Sequence, residues 1–380
     1  MVLSAYTHFL MMPGALDLLS DRPEKRTPFL TSKSISAETS VKFSTTASLE
    51  IPINTKDGFN YSTFSEADIF ILPFSENLIL TFAERDSQIR VLEGINYLET
   101  PDVIISFYAV AFSSSLDQLP EKIEHKVPAL IGHRGAGSNR LHGSTYPDYR
   151  ENTLSSFKAA FNFGAKFIET DLSILKDGEF AIQHDQKVNG NPIFEMTSEE
   201  FLAESFEKPV KIDDSRILLK TLLNQNDERI GLNLELKFNE ESSFNRDFVI
   251  EKLVQDVKKF GEKREIIYST FDIFSAILLK IKQNDHPVYF LSDAGVWPRN
   301  FKDECVPVRN PIGNVADLTI EFVKKFFLDG IVLNKKCLEQ CRNYDNCGLN
   351  LMVYGVDVDD LEDFKFKYPF VRGIIADLCQ

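Results

Sequence analysis

From Val127 onward, short apolar runs alternate with stretches of helical periodicity, and this alternation limits the possible folds more than any other feature. Strands separated by helices predict a parallel sheet, and eight of them predict a (β/α)8 TIM barrel of the α/β class. The stretch 127–380 also matches the roughly 250 residues typical of that fold. An open, doubly wound sheet is the alternative, because periodicity alone does not show closure. The predicted strands lie at 127–133, 166–172, 231–237, 265–270, 287–293, 330–334, 349–355 and 371–377.

The clearest helical segment is 152–164, between the first two predicted strands. Gly164 stands at its end, where glycine commonly caps a helix. The spacing therefore predicts an amphipathic helix. Its apolar face consists of Leu154, Phe157, Ala160 and Phe161.

Residues 1–120 have a different character, because they are rich in Ser, Thr and Phe and show short alternating runs. This pattern predicts a small all-β, sandwich-like domain that packs on the barrel or regulates it. The polar segment 113–128 is the predicted linker, so the predicted domains are 1–120 and 127–380. The runs typical of strands lie at 41–51, 67–74, 77–84 and 103–112.

The chain is acidic, with a formal net charge of −15 and a pI near 5.0. Nucleic acids and anionic membranes bind basic surfaces, so neither is an expected partner. No Lys or Arg precedes Arg22, although a secretory signal requires a positive start, and no apolar run has the length of a membrane span. We therefore expect a soluble, cytoplasmic protein without an integral membrane segment. The sequence predicts no particular oligomeric state.

The odd number of cysteines argues against a disulfide framework and favours reduced thiols. Three of them lie close together in the sequence and raise the question of a zinc site. Their spacing contains no C-x2-C pair, and no His lies nearby, so buried thiols on a helix are the preferred interpretation. The five are Cys305, Cys337, Cys341, Cys347 and Cys379.

Charged and polar side chains cluster at the ends of the first three predicted strands. Active sites of such barrels form at the carboxyl ends of the strands, so these side chains should meet at one rim. Glu169 and Asp171 are two residues apart on one strand, and therefore point to the same face. The other strand-end residues of the set are His133, Arg134, Glu235 and Lys237, and the short run 179–185 after the second strand adds His184, followed by Asp185.

This set suits the hydrolysis of a phosphodiester. A hard divalent cation on carboxylate oxygens offsets the charge of the phosphoryl transition state. Arg and Lys can hold the remaining phosphate oxygens, and two His can serve as general base and general acid. Taken singly, a His at a strand end is more often structural, and a Glu-x-Asp pair is usually a solvated face. Both faces of a parallel barrel strand are buried, however, so paired charges there need a functional reason.

The chain from about Val127 to its end resembles the glycerophosphodiester phosphodiesterase family. Segment 265–295 is similar to the eukaryotic intracellular glycerophosphocholine phosphodiesterases within that family. One departure is YGVDVDD at 354–360, where many relatives have a Trp-containing segment. The motifs that carry the resemblance are HRGAG (133–137), ENT (151–153), GAKFIETDLSILKDG (164–178), HD (184–185), LELK (234–237), YSTF (268–271) and GIIAD (373–377).

The resemblance implies a role for each matching position. His133 and His184 correspond to the catalytic pair, while Arg134 and Lys237 correspond to phosphate-contacting positions. It further implies that the 2-hydroxyl of the substrate's glycerol attacks phosphorus to give a cyclic phosphate, which water then opens. Mg²⁺ or Ca²⁺ is the expected cofactor, because all the ligands are oxygen. The positions that correspond to metal ligands are Glu169, Asp171 and Glu235.

The expected reaction is hydrolysis of a small glycerophosphodiester, above all glycerophosphocholine to glycerol 3-phosphate and choline. Lysophospholipase D activity on the same scaffold and non-catalytic binding of phosphodiesters are the alternatives. A choline pocket should offer aromatic faces or carboxylates. The late barrel loops supply Trp297, Tyr354, Asp357 and Asp359 as candidates. Trp297 could instead cover a loop, and Tyr354 could simply fill the barrel.

Overall fold

The computed structural model divides the chain into two compact units, Met1–Asp117 and Gln118–Gln380. In the second unit it describes residues 121–137, 148–206, 214–225, 230–239, 241–261, 263–293, 316–345 and 347–378. In the first unit it describes the backbone of eight strands.

The second unit is a closed parallel barrel. The first strand of the barrel pairs with both the second and the last barrel strand. The barrel therefore has no open edge, and the doubly wound alternative is wrong. All eight predicted strands are present, with ends shifted by up to three residues. They are β1 (Leu130–Gly132), β2 (Phe167–Ile174), β3 (Gly231–Leu236), β4 (Ile266–Thr270), β5 (Val288–Ser292), β6 (Gly330–Asn334), β7 (Asn350–Asp357) and β8 (Gly373–Asp377).

Helices occupy the connections between successive barrel strands, as the sequence pattern predicts. The connection from β2 to β3 is the most elaborate. It holds two helices and a short strand, Phe180–Ile182, that pairs antiparallel with the end of β2. The helices are α1 (Leu154–Asn162), α2 (Ser198–Ala203), α3 (Leu219–Leu223), α4 (Arg246–Phe260), α5 (Ile273–Lys282), α6 (Ala316–Lys325), α7 (Lys335–Gln340) and α8 (Leu361–Lys367).

Helix α1 confirms the amphipathic segment expected at 152–164. The side chain of Thr153 caps its start by accepting from the backbone N–H of Ser156. Phe157 and Ala160 are buried, as their place on the apolar face predicts. Gly164 follows the helix with φ +95°, a left-handed conformation that favours glycine over other residues.

Alternate residues of the barrel strands fill the interior, and this pleat decides which side chains can reach the active-site rim. Near the amino ends of the strands the inward residues are apolar and form one buried cluster. Toward the carboxyl ends the same rows continue as polar and charged residues. The cluster comprises Ile131, Phe167, Ile267, Tyr289, Leu291, Val332, Met352 and Ile375.

A second polar network lies at the amino-terminal side of the barrel strands. Lys280 and Asp329 form an ion pair at 3.1 Å with both side chains fully buried. Asp329 also accepts from the backbone N–H groups of Ile123 and Val288, at 2.6 Å and 2.8 Å. The second half of the predicted linker 113–128 is therefore bonded to the barrel.

The strands of the first unit form two antiparallel sheets of four strands each. That the two sheets pack face to face, and that they make a regulatory domain, stay predictions. One sheet contains Phe70–Pro73, His8–Leu18, Val103–Phe112 and Gly94–Glu99, and the other contains Ser48–Ile53, Thr39–Ser44, Ile79–Phe82 and Ser87–Arg90.

Candidate active site

Three carboxylates meet inside the barrel at the ends of β2 and β3. Asp171 and Glu235 are register partners on these neighbouring strands, and Glu169 lies two residues before Asp171 on the same face. All three are buried, and each offers an oxygen within 4.8 Å of the others. Among the residues that the structure describes, no other group of His, Cys, Asp or Glu has such an arrangement. The thiols of Cys337, Cys341 and Cys347 are free, but Cys341 is only partly buried and Cys347 lies outside a helix, so only Cys337 is the buried helical thiol that the preferred interpretation expects.

Polar groups of the first βα connection hold these carboxylates in place. The backbone N–H of Arg134 donates to Glu169 Oε2 at 2.8 Å, and Asn152 Nδ2 donates to Asp171 Oδ2 at 2.9 Å. Thr170 Oγ1 in turn donates to Asn152 Oδ1 at 2.8 Å, which fixes the orientation of the amide. The carboxylates are therefore positioned before any substrate arrives.

The HRGAG segment turns sharply to direct the N–H of Arg134 at Glu169. Arg134 has φ 50° and Gly135 has φ 93°, both in the left-handed region. A Cβ on Gly135 would lie 2.4 Å from Ser156 Oγ, the hydroxyl that accepts from the N–H of Ala136. Only glycine fits at this position without moving α1.

Two cations lie against the carboxylates. Lys237 Nζ is 3.1 Å from Asp171 Oδ1 and also bonds Glu235. Arg134 Nε is 3.5 Å from Asp171 Oδ2, and its Nη1 pairs with Glu151 at 3.2 Å. Burial disfavours the charge on Lys237, but the carboxylates around it outweigh burial and raise its pKa. Both cations therefore stay charged beside the site where an anionic phosphate would bind.

The close approach of the carboxylates and cations gives the carboxylates different pKa values. Burial and the neighbouring charge of Asp171 raise the pKa of Glu169 to about 8. Burial also disfavours the charge on Asp171, but Lys237 and Arg134 lower its pKa to about 2. With all three carboxylates ionised, the cluster would carry more negative charge than Arg134 and Lys237 neutralise, and the raised pKa of Glu169 reflects this repulsion, which a bound divalent cation would relieve.

Each predicted histidine is hydrogen bonded to a carboxylate through Nδ1, which leaves Nε2 as the ring nitrogen for a proton transfer. His133, after β1, bonds Asp377 Oδ1 at 2.7 Å, and His184 bonds Asp185 Oδ1 at 2.8 Å. Burial lowers the pKa of His184. Burial also acts to lower the pKa of His133. The hydrogen bond to Asp377 and the charge of Glu169 outweigh burial, so the pKa of His133 is raised. Environments that separate two pKa values in this way suit one acid and one base.

These groups line a cavity of about 500 Å³, counted with its open mouth, at the carboxyl ends of the strands. Asp171 is buried beneath its wall, in contact with Lys237. Trp297 lies outside the described residues, so its place in a choline pocket stays a prediction. Of the predicted site residues, the cavity brings together His133, Arg134, Glu169, His184, Glu235, Lys237 and Tyr354.

Asp357 and Asp359, the two acidic candidates for a choline pocket, do not line this cavity. Asp357 is exposed and pairs with Lys335 at 3.3 Å, and Asp359 is exposed as well. A bulge in β7 precedes Asp357, because Gly355 has φ +79° and the register shifts between Tyr354 and Val356, so that Asp357 is the register partner of Asp377 at the ends of β7 and β8.

Sequence reasoning missed five residues that the structure places in or beside the cavity. Ser269, Phe271 and Asp377 lie within segments that carry the family resemblance, but they received no role. Period-two spacing along each strand is the signal that could have found them, since they continue the inward rows. Those in the cavity wall are Asn233, Ser269 and Phe271, while Asp293 and Asp377 bond the wall residues Tyr354 and His133.

The comparison with known families agrees with this geometry. Residues 133–378, more than half of the chain, match the sequence model described as the glycerophosphoryl diester phosphodiesterase family. The chain belongs to this family. It is therefore an enzyme, a glycerophosphodiester phosphodiesterase, and the resemblance seen in the sequence is confirmed. No helix among the described residues is both long and apolar enough to span a membrane.

Individual relatives of this phosphodiesterase are distant. A glycerophosphodiester phosphodiesterase of Arabidopsis thaliana is 29% identical over 290 residues, which cover 66% of this chain and 75% of the relative. A human glycerophosphocholine phosphodiesterase is 24% identical over 313 residues, or 66% of this chain and 44% of the relative. The solved structure of an Oleispira antarctica phosphodiesterase, in complex with the product sn-glycerol-3-phosphate, shares the fold. Its TM-score is 0.51 at 18% identity, and the match covers 66% of this chain and 93% of that one.

Proposed function

We propose that this phosphodiesterase requires a divalent cation held by Glu169, Asp171 and Glu235. The observation that carries the proposal is the buried oxygen cluster, in which Glu169 Oε1 has no hydrogen-bond partner among the described residues. An unpaired oxygen beside two further carboxylates fits a hard cation, and the lack of sulfur and imidazole donors favours Mg²⁺ or Ca²⁺ over Zn²⁺. When bound, the cation would act as a Lewis acid on the phosphoryl oxygens.

The chain's own residues would complete the site. Arg134 and Lys237, already beside Asp171, can hold the phosphate oxygens that face away from the cation. His133 and His184 line the same cavity and would divide the proton transfers between the attacking hydroxyl and the leaving oxygen. The differing environments of the two rings support this division.

We infer that the preferred substrate is glycerophosphocholine. The charged half of the cavity lies at β1 to β3, and the half at β4 to β7 carries the aromatic rings of Phe271 and Tyr354. Phe271 is 44% exposed, which is unusual for so large an apolar side chain. The phenol of Tyr354 donates to Asp293 Oδ1 at 2.7 Å. Aromatic faces backed by a carboxylate attract a quaternary ammonium group.

Two assays test the proposal. Chelation should abolish turnover, and Mg²⁺ or Ca²⁺ should restore it; full activity of the metal-free protein would refute the metal assignment. Glycerophosphocholine should be cleaved far better than glycerophosphoinositol or a lysophospholipid. Phe271→Leu and Asp293→Asn should raise KM for glycerophosphocholine more than for glycerophosphoglycerol. Equal turnover of charged and neutral head groups by the wild-type enzyme would refute the choline assignment.

A further inference from the structure

Two buried polar side chains in the cavity have no hydrogen-bond partner within the part of the chain that the structure describes. Asn233 is 1% exposed, and neither the nitrogen nor the oxygen of its amide is bonded. Ser269 is fully buried, and its hydroxyl is also without a partner. Both side chains line the cavity. Burying such groups unpaired costs free energy, so a ligand that pairs with them is expected in the working enzyme.

The strand registers place these side chains beside the carboxylates. Asn233 is the register partner of Glu169 across β2 and β3, and Ser269 is the register partner of Glu235 across β3 and β4. Asn233 also precedes Glu235 by two residues on the same face of β3, and so lies nearer the apolar core of the barrel. Both side chains therefore lie at the depth of the carboxylates, on the β3 and β4 side of the cavity floor.

The chemistry of the pair indicates what binds there. An amide and a hydroxyl each offer a donor and an acceptor and carry no charge. They complement an alcohol better than a phosphate, which needs donors, or a cation, which needs acceptors. The glycerol half of the substrate has two free hydroxyls. The one adjacent to the phosphoester carbon must stay at phosphorus to attack it, so the terminal hydroxyl is the one free to reach the floor.

We propose that Asn233 and Ser269 bind the terminal hydroxyl of the substrate's glycerol. They would make the site select glycerophosphodiesters from other phosphodiesters, whatever the head group. The inference rests on the proposed function through the placement of the phosphate at the cation, and on the attack of the 2-hydroxyl on phosphorus that the family resemblance implies. It does not require choline.

Equilibrium binding tests this without turnover. Calorimetry with Mg²⁺-loaded protein would compare glycerol 3-phosphate with propane-1,2-diol phosphate, which lacks only the terminal hydroxyl. The wild-type enzyme should bind glycerol 3-phosphate about tenfold more tightly, the effect of one good hydrogen bond. Asn233→Leu, which keeps the side chain's size, and Ser269→Ala should each reduce this preference severalfold. Neither variant should change the Kd of the diol phosphate.

Ser275→Ala is the matched control. The hydroxyl of Ser275 is likewise fully buried and unpaired among the described residues, but it lies on α5 rather than in the cavity wall. This variant should leave both Kd values unchanged. Melting temperatures identify a variant that fails to fold, and Ser269→Ala, which removes a single oxygen, is the variant expected to keep the fold.

Three results would overturn the inference. The first is a wild-type enzyme that binds the two ligands equally, and the second is a preference that survives in both variants. The third is an equal loss of affinity for both ligands, because the side chains would then act on the phosphate or the cation. Failure of the proposed function is seen separately, as turnover without metal or as no preference for glycerophosphocholine. Neither of those results alters the comparison of the two phosphates.

Discussion

Replacing Asp377 tests whether a carboxylate orients the ring of His133, for which we propose a catalytic role. Asp377→Asn keeps the size of the side chain but removes its charge from a 2.7 Å bond to His133 Nδ1. The side chains are 20% and 32% exposed, so water screens the bond only in part. A hydrogen bond to a charged group contributes about 1.5–3 kcal/mol, and each 1.36 kcal/mol changes a rate tenfold. We therefore expect kcat to fall by about 10- to 150-fold.

Asp185→Asn is the matched control, because Asp185 bonds the other histidine, His184, with nearly the same geometry. The side chain of Asp185 is 59% exposed, and an ion pair so open to water contributes roughly 0–1 kcal/mol. We expect kcat to fall no more than about fivefold for this variant. Equal losses in the two variants would refute the argument that burial sets the strength of these bonds.

The pH dependence gives a second measurement of the same bond. The bond to Asp377 raises the pKa of His133, so Asp377→Asn should lower it. In a plot of log kcat/KM against pH, the limb set by His133 should then move to lower pH. A variant that loses kcat without any shift of a limb would show that Asp377 supports the fold rather than the ring.

Three further predictions follow from the structure. His133→Ala and His184→Ala should each lower turnover by about 10²-fold or more in steady-state assays while the melting temperature changes little, and wild-type turnover would remove that residue from the mechanism. Saturating Mg²⁺ or Ca²⁺, at 100 times its Kd, should stabilise the protein by about 2.7 kcal/mol in thermal unfolding, and an unchanged melting temperature would argue against a bound cation. Lys280→Met leaves the buried Asp329 without its cation and should cost about 3–5 kcal/mol in denaturant unfolding. Lys365→Met, at an exposed ion pair, should change stability by less than about 1 kcal/mol; similar effects at the two lysines would contradict the role of burial.

The sequence by itself determined the barrel strands and most of the residues that line the cavity. Each strand is a short apolar run bounded by helical periodicity, and such local patterns do not depend on distant contacts. Glu169 and Asp171 could be assigned to one face because alternation along a strand is also local. Their meeting with Glu235 and His133 followed from a single assumption, that parallel strands end at a common rim.

Only the tertiary structure decided the contacts between residues far apart in the chain. Asp377 and His133 are 244 positions apart, and they meet because β8 pairs with β1 when the barrel closes. The bulge at Gly355 shifts the register between β7 and β8 by one residue, so that Asp357 rather than Val356 is the partner of Asp377, and nothing local in the sequence indicates this pairing. Asn233 became a candidate substrate-binding residue only because the structure shows that its amide is buried and has no hydrogen-bond partner among the described residues. A single polar residue in a strand gives no such signal, because its environment is made by other strands.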